Sequence, residues 1–292
     1  QALAAAISPE SRVLVVGAGL IGLKCVEGIA ERVKQVTVVD LADRILSSIL
    51  NAEAAEVVQR YLESRGIQFI LGDCVKEFKP NMAMLQNSGR QLEFDVLVMA
   101  VGVRPNTALL TAAGAEAERG VLVDEYCRTS LPDVFAAGDC TQGYDVVSGE
   151  RRILALLPNA YMQGDCAGAN MAGQAEVYKN GLALNSIGFW GLHIMSAGVY
   201  QGEALVESDA QHYKCLFVQD GRLNGFILVG DVARAGIYTN LVRTRQPLDE
   251  VDWPLLQVKP QLMAFSPRER AQKLAIRPVA SSELEEQKGD KA

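Results

Sequence analysis

Residues Val13–Asp40 read VLVVGAGLIGLKCVEGIAERVKQVTVVD, and the fold turns on this stretch. The run VLVV after Arg12 has the character of a buried strand, and GAGLIG follows it directly. Leu20 to Glu31 then places Leu23, Val26 and Ala30 on one helical face, and Val36–Asp40 is the next strand. Strand, glycine-rich turn, helix and strand at this length make a parallel βαβ unit.

Each glycine of the turn has its own physical reason. Gly17 permits the tight turn, Gly19 lets backbone approach a pyrophosphate, and Gly22 lets helix and strand pack closely. Together with Ala18, Leu20 and Ile21 they form the loop and first helical turn. There, backbone N–H groups and the helix dipole favour a bound phosphate. Asp40 closes the second strand eighteen residues beyond Gly22, where its carboxylate is placed to accept hydrogen bonds from adenosine ribose hydroxyls. A carboxylate there repels a 2′-phosphate, which favours NADH over NADPH. Arg44 lies near enough to oppose that preference, or else is a solvated surface charge. The competing reading of the whole motif is a glycine-rich βα turn without a nucleotide.

Beyond the βαβ unit, Asn51 is a candidate N-cap for a helix ending at Gly66, and Gln68–Leu71 is a third strand. The pieces VKEF, MAMLQ and QLEF, separated by Lys79-Pro80-Asn81 and Asn87-Ser88-Gly89, read as a β-meander. Asp95–Val101 is another buried strand. After it come a short helix (Thr107–Ala113), strands at Gly120–Glu125 and Asp133–Ala137, and a helix from Pro158 to Ala172 with proline at its first position. Gly138 and Asp139 follow the Asp133–Ala137 strand, so a carboxylate would sit at a strand's C-terminal end, where open α/β sheets bind ligands. An isolated Gly-Asp pair is as readily a simple turn. From Tyr178, glycine-punctuated strands (KCLFVQ, GFILVG) around the Asp220-Gly221 turn indicate a small mixed α/β unit, with a helix near 233–244. Ser266-Pro267-Arg268-Glu269 can cap one short helix, and the rest of 261–292 is expected to be largely flexible.

The predicted fold class is therefore α/β. It comprises a Rossmann-like nucleotide domain with a meander over 11–104, a second unit over 105–177 and a small C-terminal domain over 178–260. Residues 1–10 read as the end of a preceding helix, which suggests a fragment; an engineered or processed start is the alternative.

Composition narrows the function classes. A chain of 292 residues with 49% hydrophobic and 22% charged residues is ordinary for a soluble protein. A net charge of −7 argues against a nucleic-acid partner. The longest apolar runs, such as Val96–Val103, fall far short of the roughly 20 residues that span a bilayer. The six cysteines form no CxxC pair and read as thiols of a reducing, cytoplasmic compartment. His193 and His212 have no metal-ligand spacing, so no metal site is expected, nor any catalytic nucleophile.

Taken together, VVGAGLIG, MAVGVRPNT and TSLPDVFAAGD, in this order, resemble the pyridine nucleotide–disulfide oxidoreductase superfamily of FAD enzymes. The run LPNAYMQGDCAGANMAG resembles its rubredoxin-reductase and nitrite-reductase-large-subunit branch. The resemblance implies that Gly17, Gly19, Gly22 and Asp40 bind NAD(H), with NADP(H) less favoured. It implies that 105–177 is the C-terminal half of a discontinuous FAD-binding domain, in which Gly138 and Asp139 meet the ribityl–phosphate region of FAD. The helix from Pro158 would point its N-terminus at the isoalloxazine, and Gly102 would sit near the nicotinamide. The FAD fingerprint, the first half of that domain, would lie upstream, on the same or another chain. Hydride would then pass from NAD(P)H to FAD, and electrons to an acceptor such as rubredoxin, ferredoxin or a small oxidant. The C-terminal unit serves relatives at a subunit or partner interface, which raises a homo-oligomer. One departure stands out: many relatives carry Glu after GLIGL, where this chain has Lys24, able to pair with Glu27. The alternative functions are a non-catalytic nucleotide-binding or assembly module and an inactive proteolytic fragment.

Overall fold

The structure, a computed structural model, describes residues 2–274. After a short helix α1 (Ala2–Ala6), the nucleotide-type unit runs β1 (Arg12–Val16), α2 (Leu20–Ile29), β2 (Gln35–Asp40), α3 (Ala52–Glu63) and β3 (Ile67–Leu71). Then come the meander strands β4 (Val75–Lys79), β5 (Met82–Leu85) and β6 (Gln91–Glu93), and β7 (Val96–Met99). Strands β3, β2, β1 and β7 form a parallel sheet in that order, and β4–β5–β6 form a separate antiparallel sheet. Asn51 caps α3, its side chain accepting the Ala54 N–H at 3.2 Å, and Gly66 takes φ +84° just past the helix end.

Alternation along β1 decides what covers each face of the parallel sheet. Val13 and Val15 join α2 and α3 on one side, whereas Leu14 meets Ala83, Leu85 and Phe94 of the meander side. Asp73 ties that meander down. Its carboxylate accepts N–H groups from Cys74 (2.8 Å), Asn87 (2.8 Å) and Ser88 (3.0 Å). Hydrogen bonding from Ser88, chiefly its side chain, then from Asn87 and Cys74, holds this carboxyl well below the usual aspartate range.

The second unit contains α4 (Ala108–Ala112), β8 (Val121–Leu122), β9 (Thr141–Tyr144), β10 (Arg151–Arg152) and α5 (Leu157–Met171). Two strand expectations fail here. The Gly120–Glu125 strand shrinks to the two residues of β8, and Asp133–Ala137 forms only a single bridge, Phe135 with Arg128. The reason is local: Asp133 takes φ +59° after Pro132, and the reversed chain is closed by Thr129 N–H to Val134 O at 2.9 Å. The ladder partner of β8 comes later, as β9, in parallel pairing. Pro158 is the second helical residue of α5 rather than its first.

The C-terminal unit is a five-stranded antiparallel sheet in the order β11 (Leu184–Phe189), β12 (Leu192–Gly198), β15 (Arg222–Val229), β14 (Tyr213–Gln219), β13 (Glu203–Ser208). Helices α6 (Gly236–Thr244), α7 (Trp253–Val258) and α8 (Pro267–Leu274) follow. At the start of α8, Ser266 and Glu269 bond each other's backbone N–H at 3.2 and 3.3 Å, the capping box read from the sequence. The flexibility expected over 261–292 is corrected within the described residues, where Leu262–Ala264 form a 3₁₀ turn and Pro267–Leu274 form α8; residues 275–292 lie outside the described residues.

Strand β15 explains why this sheet does not stand apart. Phe226 and Leu228 face α6, against Tyr238, Leu241 and Val242. Ile227 and Val229 face the other way, into the same core as Ala54, Val57, Val58 and Leu62 of α3. The helix α3 is thus packed between two sheets, and the nucleotide-type and C-terminal units share one core. Each such fully buried aliphatic side chain contributes about 1.5–3 kcal/mol.

Asp73→Ala is expected to lower the thermal midpoint at neutral pH. Because the folded carboxyl titrates below its unfolded value of about 3.9, its contribution is present above that value and fades as pH falls further. The gap in midpoint between wild type and variant therefore closes on acidification below about pH 4, and a gap that does not change with pH would refute this role.

Candidate functional site

Strand β1 ends by delivering Gly17, whose N–H donates to Val39 O at 2.8 Å. Gly17 takes φ +113°, and a Cβ on it would lie 2.3 Å from the Ala100 carbonyl oxygen at the end of β7. A Cβ on Gly22, in the first turn of α2, would lie 2.0 Å from the Gly17 carbonyl oxygen. The protein's own packing therefore requires both glycines.

Gly19 is different. It has φ −83° and ψ −174°, an extended conformation open to any residue, and no atom lies within 4 Å of its Cβ position. Nothing in the protein demands glycine there. As N-cap it also supplies no side-chain acceptor to the first turn of α2, which keeps the free N–H groups and partial positive charge of a helix start. Ala18 is buried, Leu20 half-buried and Ile21 exposed beside it.

Asp40 has a further, structural role that no local pattern marks. One carboxylate oxygen accepts the Ala18 N–H at 2.6 Å and the other the Ala42 N–H at 2.8 Å, so the acid ties the glycine loop to the end of β2. Each oxygen keeps a second lone pair for a further donor. Arg44 is occupied elsewhere: it pairs with Asp43 at 2.8 Å and reaches Leu50 O at 3.4 Å.

Gly102 lies past β7 at φ +99°, with open space at its Cβ position and exposed Val101 and Val103 on either side. The chain then crosses to the second unit, where Gly138 takes φ +86° in the turn before β9. Asp139 is exposed at that turn and lines a cleft of about 730 Å³ with residues of the Val103–Asn106 loop.

One residue missed in the sequence sets this turn, and a second lies on the same buried face of α5. Gln163 of α5, 3% exposed, accepts the Gly138 N–H at 2.7 Å and lies 3.1 Å from the Thr141 hydroxyl. Asn159, also buried, donates to Leu154 O and Leu182 O at 3.3 and 2.9 Å. A signal was present: Asn159, Gln163, Cys166 and Asn170 recur at helical spacing, a polar stripe on the face that α5 buries. The α5 N-terminus has no side-chain cap, and Leu157 is exposed there.

Lys24 is turned toward the C-terminal unit. Its ammonium pairs with Glu27 and donates to Gly188 O at 2.9 Å. Glu27 in turn accepts the Trp190 N–H at 2.7 Å, and Tyr61 of α3 donates to Trp190 O at 2.7 Å. Trp190 sits at φ +44° in the two-residue β11–β12 turn, a conformation that costs a bulky residue about 1–3 kcal/mol. The bonds from α2 and α3 hold it there.

The cysteines are free. Burial pushes the Cys127 thiol up to about 12, and Cys140 donates to Ala137 O at 3.6 Å as a packed side chain. Among the described residues no group of three His, Cys, Asp or Glu side chains has metal-binding geometry, and no helix is long and apolar enough to cross a membrane.

Residues 1–164 match the family described as pyridine nucleotide-disulphide oxidoreductase, and 184–246 match the rubredoxin NAD+ reductase C-terminal domain. The NADH-dependent phenylglyoxylate dehydrogenase subunit epsilon of Aromatoleum evansii is 30% identical over 258 residues, 84% of this chain and 61% of that protein. An NADH oxidase of Methanocaldococcus jannaschii is 34% identical over 245 residues, 75% of this chain and 54% of its own. The chain therefore spans little more than half the length of these relatives. Among solved structures, a ferredoxin reductase for the CYP199A2 system of Rhodopseudomonas palustris superposes with a TM-score of 0.75 at 24% identity, over 82% of this chain and 61% of that one, a likeness of fold. With a parallel sheet opening on this glycine loop and a family match over more than half its length, the chain belongs to the pyridine nucleotide-disulphide oxidoreductase family.

Proposed function

We propose that this protein is the NADH-binding and C-terminal part of an FAD-dependent NAD(P)H:acceptor oxidoreductase. One observation carries the reading: at Gly19 the only beneficiary of a missing side chain is a ligand, and this position caps the helix α2. Names of relatives such as NADH oxidase support the reaction class. The match of 184–246 to a rubredoxin NAD+ reductase domain supports a small redox protein, rubredoxin or ferredoxin, as acceptor.

In this reading the loop Gly17–Gly22 takes the NADH diphosphate on backbone N–H groups, and Asp40 takes the adenosine ribose with its spare lone pairs. Asp40 disfavours a 2′-phosphate, and Arg44, already paired with Asp43, gives that phosphate no compensating charge. Gly102, without a side chain, leaves room for the nicotinamide beside the second unit. The donor set at the second cleft fits FAD: Asp139 is exposed to accept from ribityl hydroxyls, and the uncapped start of α5 favours negative charge nearby. Gln163 holds the Gly138–Asp139 turn in place for that contact. FAD held there would supply the redox chemistry, as acceptor of the nicotinamide hydride and source of the electrons passed on. The residues of the chain position and desolvate the reactants, and none need act as a nucleophile. Val103, exposed and apolar, lines the same cleft as Asp139.

Gly19→Val should leave the thermal midpoint within about 1 °C of wild type while weakening NADH binding roughly tenfold or more, as seen by titration of nicotinamide fluorescence. Gly22→Ala should instead lower stability by about 1–3 kcal/mol in chemical denaturation, because its Cβ meets backbone. Equal NADH affinity in Gly19→Val would sink the reading. Asp40→Asn should bring the affinities for NADPH and NADH closer together, and an unchanged ratio would remove Asp40 from cofactor choice. Gln163→Leu leaves the Gly138 N–H without its acceptor, so it should cost about 1–3 kcal/mol and weaken FAD binding more than NADH binding. A visible absorption spectrum tests the flavin assignment: NADH-bleachable flavin bands support it. Nucleotide binding without flavin would favour a non-catalytic assembly module.

A further inference from the structure

Cys127, Cys166 and Cys215 are buried, and the first two share one small core. Cys127 is fully buried and Cys166 is 4% exposed, and they pack with Ala167 against Phe135, Ala137 and Tyr178. Cys215 lies apart, in the core between α3 and the C-terminal sheet. No local spacing marks the pair, which comes from a turn after β8 and from the second half of α5.

Hydrogen bonds fix where the Cys166 thiol stands. Its Sγ lies 3.4 Å from Glu176 O and 4.0 Å from Glu125 O, on the turn that carries Cys127. The Asn170 amide, one turn further along α5, donates to that sulfur at 3.4 Å and to Tyr126 O at 3.3 Å. One amide thus touches both the thiol of α5 and the backbone next to Cys127. Cys127 itself takes φ +60°, its N–H donating to Asp124 O at 3.1 Å and its carbonyl accepting from the Ala136 N–H at 3.1 Å. Glycine or asparagine is the ordinary residue for such a left-handed position, so the thiol there is held by what it packs against. Burial first, then the charge and hydrogen bond of the Cys166 thiol, oppose ionisation of Cys127. Such opposition requires the two sulfurs to be close.

Among the described residues no third ligand joins the two thiols into a metal site. A single buried thiol is inert and packs as a small apolar side chain. This pair differs because one member sits in a surface turn: Glu125 and Arg128 are exposed, so a local opening brings Cys127 to solvent. We propose that Cys127 and Cys166 are a reversible dithiol–disulfide couple, oxidised by a low-molecular-weight disulfide, that locks α5 to the 124–128 turn. The Cys127 thiolate attacks one sulfur of the small disulfide, forming a mixed disulfide and releasing a first small thiol, which takes up the Cys127 proton. The Cys166 thiolate then attacks the Cys127 sulfur, closing the protein's S–S bond and releasing a second small thiol with the Cys166 proton. Two electrons pass from the protein's thiols to the small disulfide, and excess dithiol reverses both steps. The lock falls on a helix with a second duty, because Gln163, nearly one turn before Cys166, accepts the Gly138 N–H. The oxidation state of the pair thus sets how firmly the support of that turn is fastened, and the couple needs neither nucleotide nor flavin to form.

The full chain is incubated with glutathione disulfide, unreacted thiols are alkylated in denaturant, and disulfide-linked peptides are mapped by mass spectrometry. The expected product is a Cys127–Cys166 peptide pair, formed with loss of two hydrogens, free of retained glutathione and opened by dithiothreitol. Mixed disulfides on the partly exposed Cys25, Cys74 or Cys140 are told apart by the glutathione they keep. Oxidised protein should melt roughly 5 °C above the reduced form, because the cross-link restricts the unfolded chain. In Cys166→Ala the couple cannot close, so Cys127 should keep glutathione and the rise in midpoint on oxidation should vanish. Should this variant fail to fold, the wild-type map and midpoints decide alone. If Cys127 and Cys166 both stay open to alkylation after the folded chain is oxidised, or are linked only when oxidation is done in denaturant, the couple is overturned. A Cys127–Cys166 link that leaves the midpoint unchanged overturns the lock.

Discussion

The structure depends on one close approach of backbone to backbone. The Gly17 carbonyl occupies the place where a side chain on Gly22 would begin, and the Ala100 carbonyl occupies that place for Gly17. These contacts lay the start of α2 on the end of β1 and bring the end of β7 against both. The chain's passage to its second unit begins at that point, in the loop running through Gly102. Asp40 adds the third constraint by holding the Ala18 N–H, so the loop is fixed from β2 as well as from β7. A side chain at either glycine would separate these elements and, with them, the helix start from the crossing loop.

From that junction the two halves of the candidate site are built differently. The glycine loop is set by backbone packing and exposes backbone N–H groups. The Asp139 turn is set by a buried side chain, Gln163, that reaches from α5 to Gly138. One half therefore tolerates little change in its glycines, and the other depends on a single amide. The Lys24–Glu27 pair on α2 joins the loop's helix to the β11–β12 turn, so the C-terminal sheet is attached to the element that carries the nucleotide loop.

Local chemistry was legible where the physical cause is local. The strand–turn–helix–strand order over 13–40, the Asn51 cap, the Gly66 stop, the meander and the capping box at Ser266 all follow from residues a few positions apart. The strand expected over Asp133–Ala137 failed because its apolar pattern says nothing about whether a partner strand lies alongside. Asp133 turns the chain before a ladder can form, and β9 pairs with β8 instead.

The sequence by itself determined the nucleotide-type unit, the identity of the loop glycines and the family, because these rest on periodicity and on short motifs. The tertiary structure decided which residues act together. Ala18 meets Asp40 across 22 positions, Gly138 meets Gln163 across 25, and Lys24 meets Gly188 across 164. It also decided that α3 serves two sheets at once and that Asp139 shares a cleft with the Val103–Asn106 loop. No local pattern marks such contacts, since hydrogen bonding and charge act through space and the chain's path sets which groups come within their reach.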